Sequence, residues 1–211
     1  MKFGFIEDLD DYFAEKYADY DRLCVLKGYV MPKMQASKRL ENGAMYAYTL
    51  PASTMRLAAQ ANRAEILVEL KKSFRDDSFS FSFRPIGSWA RFRELFTKTS
   101  FKKLLPEVLA RYNQTVDGAL EKLTVEEGTW KRIVKGAYYP TKNLLFSLAL
   151  NEHMTVDDVT LLMDVCGFEF DFSDAKDVVV SYLLSKKVFN EEMIRAAFEE
   201  YKVGNLFVKG L

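Results

Sequence analysis

No run of about 18 apolar residues occurs anywhere in the 211-residue chain, so no membrane-spanning helix is expected. The start, MKFGFIEDLDDYF, lacks the basic-then-apolar layout of a signal peptide, which points to a cytoplasmic protein. Cysteine is scarce: Cys24 and Cys166 stand far apart without a partner motif and read as reduced, buried thiols. Histidine is scarcer still. His153, the single one, lies in the loop NEHMT and reads as a surface residue rather than a general base. One histidine and two distant cysteines cannot supply a Cys/His zinc site of the usual spacing. The chain has no phosphate-cradling Walker loop, no dinucleotide glycine fingerprint and no nucleophile elbow. Glu7, Asp8, Asp10 and Asp11 lack the turn glycine and distal glutamate of a calcium loop, and Asp76 and Asp77 sit better in a turn than as a metal pair. These absences argue against an enzyme, a cofactor or a metal, and leave binding as the expected activity.

What is present is aromatic and charged. Seventeen Phe and 11 Tyr, in a chain that is 49% hydrophobic, can fill a substantial core. Thirty basic and 30 acidic residues cancel overall but not locally. Residues 1–21 hold 2 basic and 7 acidic residues (net −5), residues 22–98 hold 14 and 6 (net +8), and residues 99–211 hold 14 and 17 (net −3). The basic charge of the first half fits either a surface for an anionic partner or an ordinary solvated face.

In that half, Ile6, Leu9, Phe13 and Tyr17 recur at helical spacing, which predicts an amphipathic helix over 6–20. VLKGYVMP and AMYAYTL read as short strands. Pro51 to Thr54 give a start signal for a helix over 54–74, rich in Ala, Leu, Glu and Lys. In SFSFSFRP, Phe79, Phe81 and Phe83 alternate with serines, the pattern of a half-buried strand packed on that helix, ended by Pro85. The aromatic–basic run RPIGSWARFRELF supplies a candidate partner surface of Arg84, Trp89, Arg91 and Arg93. Within it Trp89, Phe92 and Phe96 also have the spacing of a core-facing helix.

After Lys98 the pattern changes to seven short helices, at about 101–112, 115–123, 126–134, 141–150, 156–165, 173–185 and 190–201. Thr155 with Asp158 has the form of a capping box, Ser173 and Asn190 are placed as N-caps, and Gly136 and Gly167 stand where helices end. The expected organisation is an α+β domain over 1–98 followed by an all-α domain over 99–211, mainly α overall. No Gly/Ser-rich linker separates them, so the halves are expected to pack together.

The run LEKLTVEEGTWKRIVKGAYYPTKNLLFSLALNEHMTVDDV, Leu120 to Val159, resembles the helix-turn-helix domain of the phage-repressor (Xre-like) family. Gly136 and Pro140 match that family's punctuation, and the continuation to Phe207 looks like its extended bacterial version. The resemblance covers about half the chain, and the first 98 residues resemble no family. It implies a scaffold helix at about Thr115–Leu123 and a recognition helix at about Glu126–Val134. It also implies a regulator of DNA-linked processes, with duplex DNA as partner and a homodimer reading two half-sites.

The implied reader departs from the pattern. Its leading residues are Glu126, Glu127, Gly128 and Thr129. Two carboxylates facing a phosphate-walled groove are repelled. At roughly 6 Å and an effective dielectric near 20, one such like-charge pair costs on the order of 3 kcal/mol before salt screening. Lys131, Arg132, Lys135 and Lys142 are placed to touch phosphates, which positions a domain without specifying sequence. Thr124 and Leu120 replace the glycine and the small residue usual in the family's turn, and Gly128 weakens the helix by about 1 kcal/mol relative to Ala. Two readings stay open: a transcriptional regulator meeting DNA through Thr129, Lys131, Arg132 and Lys135, or a protein-interaction module, such as an adaptor or mobile-element inhibitor, that keeps the fold.

Overall fold

The computed structural model describes residues 4–26, 28, 33–60, 62–77, 79–87 and 100–209. Eleven helices and one two-stranded antiparallel sheet form among them. In chain order they are α1 (Phe5–Lys16), α2 (Tyr20–Leu26), β1 (Gln35–Arg39), β2 (Met45–Thr49), α3 (Ala52–Ala59), α4 (Arg63–Ser73), α5 (Phe101–Arg111), α6 (Val116–Glu121), α7 (Glu127–Val134), α8 (Lys142–Asn151), α9 (Val156–Asp164), α10 (Ala175–Ser185) and α11 (Glu191–Tyr201). The chain is mainly helical, and each of the seven helices expected after Lys98 is present.

The first half follows its periodicity but is cut differently. Ile6, Leu9 and Phe13 are buried on one face of α1, as their spacing requires. The helix stops at Lys16 instead of continuing to residue 20, because Tyr17 turns extended. The buried guanidinium of Arg56 takes up the loose carbonyls there, donating to Ala14 O (2.9 Å), Glu15 O (3.2 Å) and Tyr17 O (3.3 Å). A cation at a partly buried helix C-terminus contributes up to about 2 kcal/mol. The same group forks onto Asp21 at 2.9 and 2.6 Å, which fixes α3 against the start of α2.

Three sequence expectations give way. Val25 and Leu26 end a helix rather than begin a strand, and most of VLKGYVMP lies outside the described residues. The single helix expected over 54–74 is two, α3 and α4: Gln60 turns extended at the end of α3, and Asn62 stands at the start of α4. Among its described residues SFSFSFRP forms no ladder; a β-bridge joins Pro85 to Tyr138. Its rings gather round the buried Phe207 near the other end of the chain, with centroids at 4.9 Å (Phe79), 5.9 Å (Phe81) and 5.5 Å (Phe83). A period-two pattern reports a shared face, not a strand partner, and here the face is met by a side chain.

One buried cluster holds residues from both sides of position 98. Phe13 of α1 lies 4.6 Å from Tyr201 of α11, and Tyr182 of α10 donates to Phe5 O at 3.1 Å. Two buried lysines reinforce that seam. Lys71 of α4 meets Asp10 (2.6 Å) and Glu200 (2.8 Å). Lys176 of α10 meets Asp76 at 2.7 Å and also donates to Asn143 Oδ1 (2.9 Å) and Asn205 O (3.0 Å).

Helix ends in the second half mostly obey their caps. Thr115, Thr141 and Asn190 accept from amides of their own first turns, and Gly136 and Gly167 take the left-handed conformation that only glycine adopts freely. Asp174 rather than Ser173 caps α10; Ser173 instead bonds Asp171. The box at Thr155 is half built. Its hydroxyl accepts from Asp158 N at 3.3 Å, but Tyr112 Oη, not the Asp158 carboxylate, receives the Thr155 amide at 2.9 Å. The carboxylate accepts instead from Arg111, Tyr112 and the Thr155 hydroxyl.

Candidate nucleic-acid interface

The α6–turn–α7 segment is where sequence reasoning placed a DNA reader. The chain folds this way locally because Trp130 and Ile133, three residues apart, bury one side of α7. Trp130 Nε1 donates to Val116 O at 3.0 Å, pinning α7 to the first turn of α6. The turn itself is braced from outside. Thr124 N donates to Phe207 O (3.0 Å), Lys209 N to Lys122 O (3.1 Å), and Leu123 bridges Val208. Thr124 does not occupy the left-handed region, so the turn needs no glycine there.

The opposite side of α7 is open. Glu126, Glu127, Gly128, Lys131, Arg132 and Lys135 are exposed, and Thr129 is half-buried. Glu127 and Lys131, four residues apart, form an ion pair. Hydrogen bonding to each other, with the opposite charge adding to it, holds the Glu127 carboxyl below its usual range and the Lys131 ammonium above its own. Arg132 donates to Tyr138 Oη at 3.0 Å. Lys135 closes the helix as its C-cap and has no carboxylate partner among the described residues.

Lys142 stands apart from this ridge. It opens α8 and is committed to the buried Asp177 of α10. Burial pushes the Asp177 carboxyl up, against the hydrogen bonds from Lys142 and from the Asp171 amide. Arg84, exposed, lies over the Tyr139 ring at 5.0 Å, and its carbonyl accepts from Tyr139 N at 2.9 Å. Arg84 and Lys142 face a cavity of about 420 Å³ whose other walls include Phe168, Asp174 and Asp177. Its two cations and two carboxylates sum to no net formal charge. Trp89, Arg91 and Arg93 lie outside the described residues.

The structure thus brings Thr129, Lys131, Arg132 and Lys135 onto one helix and separates Arg84 and Lys142 from them. Over residues 112–135 four acidic and four basic side chains cancel. The chain matches no protein-family model, no curated protein and no solved structure. Among the described residues no group of three or more His, Cys, Asp or Glu is placed to hold a metal ion, and no helix is long and apolar enough to cross a membrane. His153 stacks on Phe189 at 4.6 Å.

Sequence reasoning missed two features. The brace of residues 207–209 against the turn leaves no local signal, since it is a pairing across more than 80 residues. The β1–β2 hairpin was half legible: Met45–Thr49 lies in the strand AMYAYTL, but its partner was not. Asn42-Gly43 just before it is the standard mark of a tight hairpin connection.

Proposed function

We propose that the chain is a non-enzymatic regulatory binding protein that keeps a repressor-like helix-turn-helix bundle as a scaffold and docks a protein partner. The observation that carries this reading is the leading edge of α7. Glu126 and Glu127 stand in solvent where base edges would have to enter, and Glu127 holds the charge of Lys131. With Lys142 held by Asp177, Arg132 and Lys135 remain as phosphate contacts. Two contacts give a log–log salt slope of about −2, against about −5 to −9 for a protein that neutralises 6–10 phosphates.

A second reading, a duplex-DNA regulator, is favoured by Lys135, which has no described acidic partner, and by Thr129, Lys131 and Arg132 on the same helix. The two separate cleanly. Repeated selection from a random duplex pool should enrich no motif, and whatever duplex binding exists should show the shallow salt slope. An enriched motif whose affinity collapses on Lys131→Glu with Arg132→Glu overturns the protein-docking reading. Recovery of a stoichiometric partner, reconstituted from purified components, sustains it.

A further inference from the structure

Of the exposed large apolar side chains in the described residues, five lie on or beside one hairpin: Met34, Leu40, Met45, Tyr46 and Tyr48. β1 and β2 pair from Gln35↔Thr49 to Arg39↔Met45, and the ladder continues through Leu50 N to Met34 O and Leu40 N to Ala44 O, both 2.9 Å. That register puts Met34, Leu40, Tyr46 and Tyr48 on one face, with Lys38 opposite Tyr46. The two tyrosine rings lie nearly parallel, 6.3 Å apart at 9°. None of the ten strand residues is buried. A two-stranded hairpin open on both faces is marginal by itself, and an exposed apolar face of this kind marks an interaction surface.

Among the described residues no strand pairs with the outer edge of β2. Its sequence, MYAYT, has strong β-propensity and carries neither charge nor proline, the devices that normally blunt an edge strand. β1 differs, with Lys38 and Arg39. Over residues 33–49 Lys33, Lys38 and Arg39 stand against Glu41, net +2. A second copy would bring the same sign to the same place. Tyr, Met and Arg at the centre of a patch are the residues enriched in protein–protein interfaces.

We infer that the β1–β2 hairpin is the docking surface for a protein partner that adds an extended strand, apolar on one face and acidic at its rim, to the free edge of β2. This rests on the protein-docking reading above and gives it a site. Main-chain hydrogen bonds along Met45–Thr49 would hold the strand, the tyrosine face would select its apolar side chains, and Lys33, Lys38 and Arg39 would select its charge.

The test uses the full ¹⁵N-labelled chain and a short peptide alternating valine with glutamate, followed by amide shifts. Saturable shifts confined to residues 33–50 are expected. Lys38→Glu with Arg39→Glu should weaken binding about tenfold or more. Both side chains lie on an exposed strand, so the variant's unchanged amide spectrum elsewhere verifies folding. Tyr46→Ser with Tyr48→Ser should also abolish the shifts. Several outcomes overturn the proposal: no shifts in 33–50, equal response to a valine–lysine peptide, stronger response to single-stranded oligothymidylate, or shifts that depend only on protein concentration and so report a second copy. Peptide shifts confined to α6 and α7 would remove the hairpin site and leave the protein-docking reading standing. Motif-specific duplex binding through Lys131 and Arg132 would remove both.

Discussion

Removing Lys176 tests how the two ends of the chain are held together. Its ammonium is buried and lies 2.7 Å from Asp76, whose side chain is only 6% exposed. It also binds Asn143 at the start of α8 and the Asn205 carbonyl beyond α11, while Asp76 Oδ2 accepts from Asn205 N at 2.9 Å. Four segments therefore meet on one charge pair. Burial pulls the Lys176 pKa down and the hydrogen bond with Asp76 pulls it up; burial is the larger influence. Lys176→Met keeps much of the volume but strips Asp76 of its ammonium partner. Truncating one member of a buried pair costs about 3–5 kcal/mol. At an m-value near 3 kcal/mol/M, the urea midpoint should fall by about 1–1.7 M with the slope unchanged. Lys176→Met with Asp76→Leu replaces both charges with apolar groups and should recover at least half of that loss. A single-variant loss below about 1 kcal/mol, or a double variant no better than the single, would refute the account of this pair as the clasp between the segments.

Phe207→Ala should cost about 3–5 kcal/mol, because the buried ring is the common neighbour of Phe79, Phe81 and Phe83; limited proteolysis should then cut within 79–87 faster than in the parent. Burial raises the hydroxyl pKa values of Tyr17, Tyr20, Tyr182 and Tyr201 above 10.0. The unfolded chain therefore loses protons first on the alkaline side, and this stabilisation, complete below pH 10, is lost as the pH rises through the raised folded values. Lys176, with its lowered pKa, acts in the opposite sense, while the raised Cys24 thiol and Lys131 ammonium act with the tyrosines, so urea midpoints should decline above pH 10. Gly167 has φ +74° and open space where a Cβ would stand, so Gly167→Ala should cost about 1 kcal/mol from backbone strain alone; a loss above about 3 kcal/mol in thermal unfolding would mean that the site is closed rather than open.

The helices after Lys98 were legible because most carry a start or stop signal of their own. Thr115, Thr141, Thr155 and Asn190 each cap the amide three residues on, and Gly136 and Gly167 end helices on their own conformational freedom. Local signals need no partner. The candidate reader was legible for the same reason: Trp130 and Ile133 announce the buried side of α7, so Glu127, Lys131 and Lys135 must lie on the open one. The pairing of Glu127 with Lys131 follows from a four-residue spacing, but the commitment of Lys142 to Asp177, 35 residues on, does not.

The sequence by itself determined that this is a mainly helical chain, which faces of its helices are buried, and that an acidic edge leads α7. Only the tertiary structure decided where α1 ends, what the Phe79–Phe83 rings cover, which lysines are spent on internal carboxylates and which apolar hairpin face is left in solvent. The division has one physical cause. Helix hydrogen bonds and caps close within four residues, so their code is local. The Arg56 cap on α1, the Lys176–Asp76 pair and the ring of phenylalanines round Phe207 join residues roughly 40 to 130 apart, and the free energy that selects them exists only once the core has assembled.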